Sequence, residues 1–220
     1  MQPLRVGRLA AALAFVLAAL SGAAAQDRGG RPGSFDFYVL ALSWSPGFCE
    51  MEGERRGSAQ CDAGRKLGFV VHGLWPQYER GYPSDCDSRN APRYAIEEAT
   101  DLYPDQGLAR HQWRKHGTCS GLDPAAYFRA VRRAREKVVI PEPLERPVQD
   151  GQTTAQNVER AFAAVNPGLR PDMMAVTCRQ GALQEVRICM DRDLRGFRPC
   201  PDVDRAESCR FGPIRVTAPR

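Results

Sequence analysis

The chain has 220 residues, 43% of them hydrophobic and 26% charged, with a formal charge of +5. That balance excludes an intrinsically disordered or collagen-like chain, and its mild basicity tolerates a polyanionic partner without demanding one.

Arg5 and Arg8 make a basic start, Leu9 to Leu20 is an apolar run, and Ala23-Ala24-Ala25 is a small-residue cleavage site. This is the layout of a secretory signal peptide over residues 1–25. The run falls short of the roughly 20 apolar residues a membrane-spanning helix needs, so the mature form is expected to carry no membrane anchor. Cleavage there removes Arg5 and Arg8 and lowers the formal charge from +5 to +3. Residues 26–34 are rich in Gly and Arg and read as a flexible lead-in. Residues 35–220 have the length of one domain with a sizeable core, and no internal repeat divides them.

Phe35 to Trp44 is aromatic and β-branched and predicts a buried strand that Ser45-Pro46-Gly47 ends. Cys49 to Arg65 is polar and reads as a surface excursion. Lys66 to Val71 predicts a second strand with His72 at its end, after which Gly73 and Pro76 turn the chain. A loop follows from Gln77 to Ala91, then a short helix over Ala95 to Leu102. The next helix runs from about Gln106 to His116, with Gly117 as its C-cap. Asp123 as N-cap and Pro124 at the first helical position open another. Tyr127, Phe128, Val131, Ala134 and Val138 form its apolar face, and Arg129, Arg132, Arg133 and Arg135 its solvated one. Thr153 to Val165 predicts a further helix, and Met173 to Arg179 with Leu183 to Met190 a hairpin.

Cys49, Cys61, Cys86, Cys119, Cys178, Cys189, Cys200 and Cys209 make an even set, which in an exported chain implies four disulfides and an oxidising compartment. No CxxC pair is present, which argues against structural zinc. Eight cysteines allow on the order of a hundred connectivities, and the cysteine positions do not choose among them.

The three histidines fall in two dense segments, FVVHGLWPQ around His72 and HQWRKHGTC from His111 to Cys119. On a helix His111 stacks above Lys115 and Gln112 above His116, in columns roughly 100° apart that converge on one ligand. A helical zinc-protease motif spaces its histidines four apart, with Glu after the first. Here the spacing is five and Gln112 follows His111, so no metal is expected. Two imidazoles with cationic help suit transfer at a phosphodiester: one takes a proton, one gives a proton, and a third group steadies the phosphate. RNA brings its own nucleophile, the 2′-hydroxyl, and the chain shows neither GxSxG nor a P-loop. Taken singly, His72, Trp75 and Trp113 read as structural residues; the two segments together change that reading.

HGLWP at His72–Pro76 and HQWRKHGTC at His111–Cys119 closely resemble the two active-site segments of the T2-type ribonuclease family, and FDFYVLALSWSPGFC resembles its first core strand. The resemblance implies an α+β fold, an antiparallel β-sheet packed with α-helices and stapled by disulfides. It implies an endoribonuclease of low base specificity that cuts single-stranded RNA without cofactor or metal. The product is a 2′,3′-cyclic phosphate, with hydrolysis to a 3′-phosphate as an optional second step. Carried over, His116 is the general base toward the 2′-hydroxyl and His72 the general acid at the leaving 5′-oxygen. His111 holds the phosphate, Lys115 stabilises its charge, Trp75 stacks on a base, and Gln77 and Tyr78 line that pocket. The implied bridges are Cys86–Cys119, Cys49–Cys61, and Cys189–Cys200 nested inside Cys178–Cys209. A secreted or periplasmic monomer is expected.

One position departs from the family pattern. Gln112 stands where the family usually has Glu, and an amide neither exchanges a proton nor raises the proton affinity of a neighbouring imidazole. The substitution opens an alternative, a weakly active or inactive relative that binds RNA or serves in storage or interaction. The retained His72, His111, Lys115 and His116 favour catalysis.

Overall fold

The computed structural model describes residues 26–145, 147–205, 209 and 212–219, and the signal peptide expected over 1–25 lies outside them. The strands are β1 (Gln26–Arg28), β2 (Phe37–Trp44), β3 (Phe69–Gln77), β4 (Tyr82–Ser84), β5 (Gly151–Thr153), β6 (Met174–Arg179), β7 (Ala182–Met190) and β8 (Ile214–Val216). The helices are α1 (Ser45–Phe48), α2 (Arg93–Glu97), α3 (Gln106–Lys115), α4 (Pro124–Glu136), α5 (Glu142–Glu145), α6 (Ala155–Val165) and α7 (Pro201–Arg205). Six strands form one sheet in the order β3-β2-β7-β8-β5, with β6 also on β7. All its ladders are antiparallel except the short β7–β8 contact. This is the expected α+β architecture.

Side-chain alternation along β2 divides the sheet into two faces. Tyr38, Leu40, Leu42 and Trp44 point into the main core with Val186, Ile188 and Met190 of β7, and Trp113, Tyr127, Phe128 and Phe162 of the helices join them. Phe37 and Val39 belong to a small second cluster with Cys189 and Cys200, on the face that carries the site. The helices begin where short polar side chains cap them. Asp105 accepts from Leu108 N–H at 2.8 Å, Asp123 from Ala126 N–H at 2.8 Å, and Thr154 from Asn157 N–H at 3.2 Å. Arg132 of α4 pairs with Asp101 at 2.6 Å, which places that part of the arginine cluster in surface ion pairing. The β6–β7 hairpin turns at Gln180 and Gly181, both with positive φ (51° and 74°), as a tight two-residue hairpin requires.

Two expectations need correction. Gly73 and Pro76 do not turn the chain: β3 runs through both to Gln77. It is an edge strand, where a proline's missing N–H costs no ladder bond. Gly117 is not the left-handed C-cap of α3. His116 ends that helix, a 3-10 turn from Gly117 to Ser120 follows, and Gly121 takes the left-handed conformation with φ 76°. Gly117 is required for packing instead, because a Cβ there would lie 2.5 Å from the Trp113 ring. The lead-in expected over 26–34 contains β1, parallel to β4, and Gly33 N–H donates to Cys119 O at 2.9 Å.

Four disulfides join Cys49–Cys61, Cys86–Cys119, Cys178–Cys209 and Cys189–Cys200, the pairing the resemblance implies. Cys86–Cys119 ties the loop after β4 to the turn beyond α3. Cys189–Cys200 leads the chain from β7 to α7.

Candidate active site

The β2–β3 ladder slips once. Ala41 faces Gly73 and the next residue, Leu42, faces Val71, so His72 is the extra residue of a β-bulge. The bulge takes His72 out of the strand's alternation. A Cβ on Gly73 would collide with Gln112 Oε1 and Trp75 Nε1, so α3 packs against this strand only because residue 73 has no side chain.

His72 Nδ1 is paired with Glu185 Oε1. The other carboxylate oxygen, Oε2, accepts from Arg187 Nε at 2.9 Å. Burial pushes the Glu185 carboxyl up, but the hydrogen bond and charge of His72, with the Arg187 guanidinium, outweigh it and hold its pKa at about 2.

α3 forms the opposite wall. Gln112 is buried, and its Oε1 accepts from Trp75 Nε1 at 2.8 Å. His116, only 5% exposed, follows the last helical residue, and its Nδ1 is buried without a hydrogen-bond partner among the described residues. Its ring stacks on Trp75 with centroids 5.2 Å apart and planes at 27°. Arg187 lies 5.3 Å from the centre of the same indole, and His72 meets it edge-on at 5.2 Å. Burial, with Lys115, His72 and His111 nearby, holds His116 well below the usual imidazole range. Burial also lowers His111, helped by Lys115, Arg114 and His72 and opposed by Asp85. Both shifts favour the neutral imidazole.

His72, Trp75, Gln77, Tyr78, His111, Gln112, Lys115 and His116 all line one cleft of about 330 Å³. The structure thus brings together every site residue read from the sequence. The Trp75 indole N–H and ring hold Gln112, His116 and Arg187 in register. Gln77 donates its side-chain amide to Pro76 O at 3.0 Å. Trp113 is core, with its indole N–H on Arg89 O at 2.7 Å. Beyond His72, His111 and Arg187, which line both spaces, a broader groove of about 1030 Å³ continues the cleft.

Sequence reasoning missed Tyr82, Glu185, Arg187, Asp202 and Val203, which also contribute to the cleft or its network. For Glu185 and Arg187 a signal exists: two opposite charges spaced by two in ALQEVRIC share one face of a largely apolar strand. Asp202 and Val203 line the cleft just after Cys200, which is bonded to Cys189 of β7, and no local pattern marks them.

The sequence profile of the Ribonuclease T2 family matches residues 35–200. A ribonuclease of Aeromonas hydrophila is 36% identical over 202 residues, covering 86% of this chain and 87% of the relative. Ribonuclease DdI of Dictyostelium discoideum is 28% identical over 192 residues, covering 79% of this chain and 81% of its own. Among solved structures, RNase NT in complex with 5′-AMP superposes with a TM-score of 0.68 at 24% identity, covering 85% of this chain and 100% of that one. An RNase-related protein from Calystegia sepium gives 0.62 at 21% identity, over 84% and 97% of the two chains. These structural likenesses speak for the fold.

Proposed function

This chain belongs to the ribonuclease T2 family and is an endoribonuclease of that type, and from that premise we propose that it cuts single-stranded RNA by metal-independent transesterification with low base specificity. The observation that carries the reading is the single cleft shared by three histidines and Lys115, with the surroundings of His111 and His116 favouring the neutral ring and His72 paired to a carboxylate.

Neutral His116 takes the proton of the 2′-hydroxyl. The 2′-oxygen bonds to phosphorus as the bond from phosphorus to the 5′-oxygen breaks. His72 gives its proton to that 5′-oxygen, leaving a 2′,3′-cyclic phosphate and a free 5′-hydroxyl. His111 donates a hydrogen bond to a non-bridging oxygen, and the Lys115 ammonium offsets the negative charge that grows there. Hydrolysis to the 3′-phosphate runs the same transfers backwards, with water in place of the 5′-hydroxyl. The base lies in the recess of Trp75, Gln77, Tyr78 and Tyr82. Aromatic faces stack on any base, which supports low specificity.

The test is an assay of the purified protein on single-stranded RNA with chelator present and a DNA control. Cyclic phosphate ends from RNA alone are expected. Cleavage of DNA, or loss of activity in chelator, overturns the mechanism.

His116 serves as base only while neutral, so its lowered proton affinity extends activity to acid pH, and the rate falls only when pH drops through its folded value. Gln112→Glu places a carboxylate beside His111 and His116 and favours their protonated forms. The acid limb of the pH–rate profile is then expected to move up by about one unit, read from kcat/KM between pH 4 and 8. An unmoved limb would leave Gln112 a role of shape alone.

We further place the mature protein outside the cytoplasm, as an exported monomer. Four disulfides fit an oxidising compartment, and among the described residues no helix is long and apolar enough to cross a membrane.

A further inference from the structure

We propose that Glu185 is a positioning residue for the general acid: its carboxylate holds His72 through Nδ1, so that Nε2 carries the proton delivered to the leaving 5′-oxygen. The inference deepens the reaction proposed above and rests on it.

The first support is topological. His72 is on β3 and Glu185 on β7, with β2 between them. Neighbouring strands are about 4.8 Å apart, so the pair spans roughly 10 Å of sheet. The bulge displaces His72 from its strand's alternation, and β2 presents only Ala41 and Ser43 where the side chains cross, paired with Arg187 and Glu185 respectively. A large residue at either position would fill the space.

The second support is burial. Glu185 is 8% exposed. A carboxylate removed from water is costly unless its oxygens are paired, and here one goes to His72 and the other to Arg187, both of which line the cleft. Arg187 also lies over Trp75, on which His116 stacks. One chain of contacts thus links the acid histidine to the base histidine.

The third is charge asymmetry. α3 contains neither Asp nor Glu, and cations outweigh the one nearby carboxylate, Asp85, around His111 and His116, while His72 has a carboxylate paired directly to it. Environments that favour protonation of one histidine and neutrality of another separate acid from base. The other ionisable groups around His72 are Arg187 on β7, His111 and Lys115 on α3, and His116 beyond it. Asp202 of α7 lines the cleft, and Asp105, Arg179, Glu52 and Arg56 line the adjoining groove.

The experiment compares wild type, Glu185→Gln and Glu185→Asp on two substrates: a ribonucleotide dimer, and a nucleoside 3′-phosphodiester of 4-nitrophenol. Nitrophenolate departs without a proton, so the second substrate does not need the general acid. Glu185→Gln is expected to lose roughly 10²-fold in kcat on the dimer, yet less than about threefold on the nitrophenyl ester. Glu185→Asp, which keeps a carboxylate for His72 Nδ1, should restore most of the lost dimer rate. Retained ester cleavage also reports an intact fold. Equal losses on both substrates, or no loss on the dimer, overturn the proposal while leaving the ribonuclease reading in place. A wild-type chain that cleaves neither substrate overturns both.

Discussion

His116→Ala is expected to lower kcat on RNA by about 10³–10⁴-fold, and His72→Ala by about 10²–10³-fold, the range in which positioned general acids and bases contribute. The ordering follows from the substrate. The 2′-hydroxyl is a poor nucleophile until its proton is taken, whereas the leaving 5′-oxygen receives partial help from solvent. The two variants should also differ in kind. On a substrate with a nitrophenolate leaving group His72→Ala recovers most of its rate, while His116→Ala stays impaired. Because His116 is buried against Trp75, its removal leaves a void beside the indole, so melting temperature must be read with kcat. A near-normal rate in either variant would remove that histidine from its assigned role.

Full reduction of the disulfides is expected to unfold the domain. The Cys86–Cys119 and Cys178–Cys209 bridges span 33 and 31 residues, and loops of that length are stabilised by about 3–4 kcal/mol each. A domain's entire stability is about 5–15 kcal/mol, so losing both removes a large share before the two shorter bridges are counted. The effects on the site should be unequal. Cys119 lies in the turn that follows His116, and Cys200 precedes α7. Replacing Cys86 and Cys119 by alanine should therefore lower both the melting temperature and kcat. Replacing Cys49 and Cys61, which close an excursion of 12 residues, should lower stability with little change in kcat. Circular dichroism with and without reductant checks the first expectation, and the paired variants check the second. A reduced protein that melts with the oxidised one would show that the core alone holds this fold.

The parts of this protein that neighbouring residues decide were legible in the chain. Asp123 before Pro124, and Thr154 before Ala155, mark helix starts because a capping bond closes within three residues. His111, Gln112, Lys115 and His116 fall together on one end of α3 because helical geometry repeats every few residues. The motif pair at His72 and His111 carried the family resemblance for the same reason: each half is contiguous. Strand register is a different matter. Whether Gly73 turns the chain or continues a strand depends on Ala41 opposite it and on Gln112 and Trp75 filling the space a Cβ would need, and Ala41 and Gln112 lie over thirty positions away in the chain. Glu185 is 113 residues from His72, and nothing local links them. Burial on both faces of β2 sets the pairing of β3 and β7, a bulge turns one imidazole out of line, and small side chains on β2 let it reach the carboxylate. The sequence by itself singled out the groups for which the proton chemistry is proposed. Only the tertiary structure decided which histidine has an anionic partner, because that partnership depends on how three strands align across a shared core.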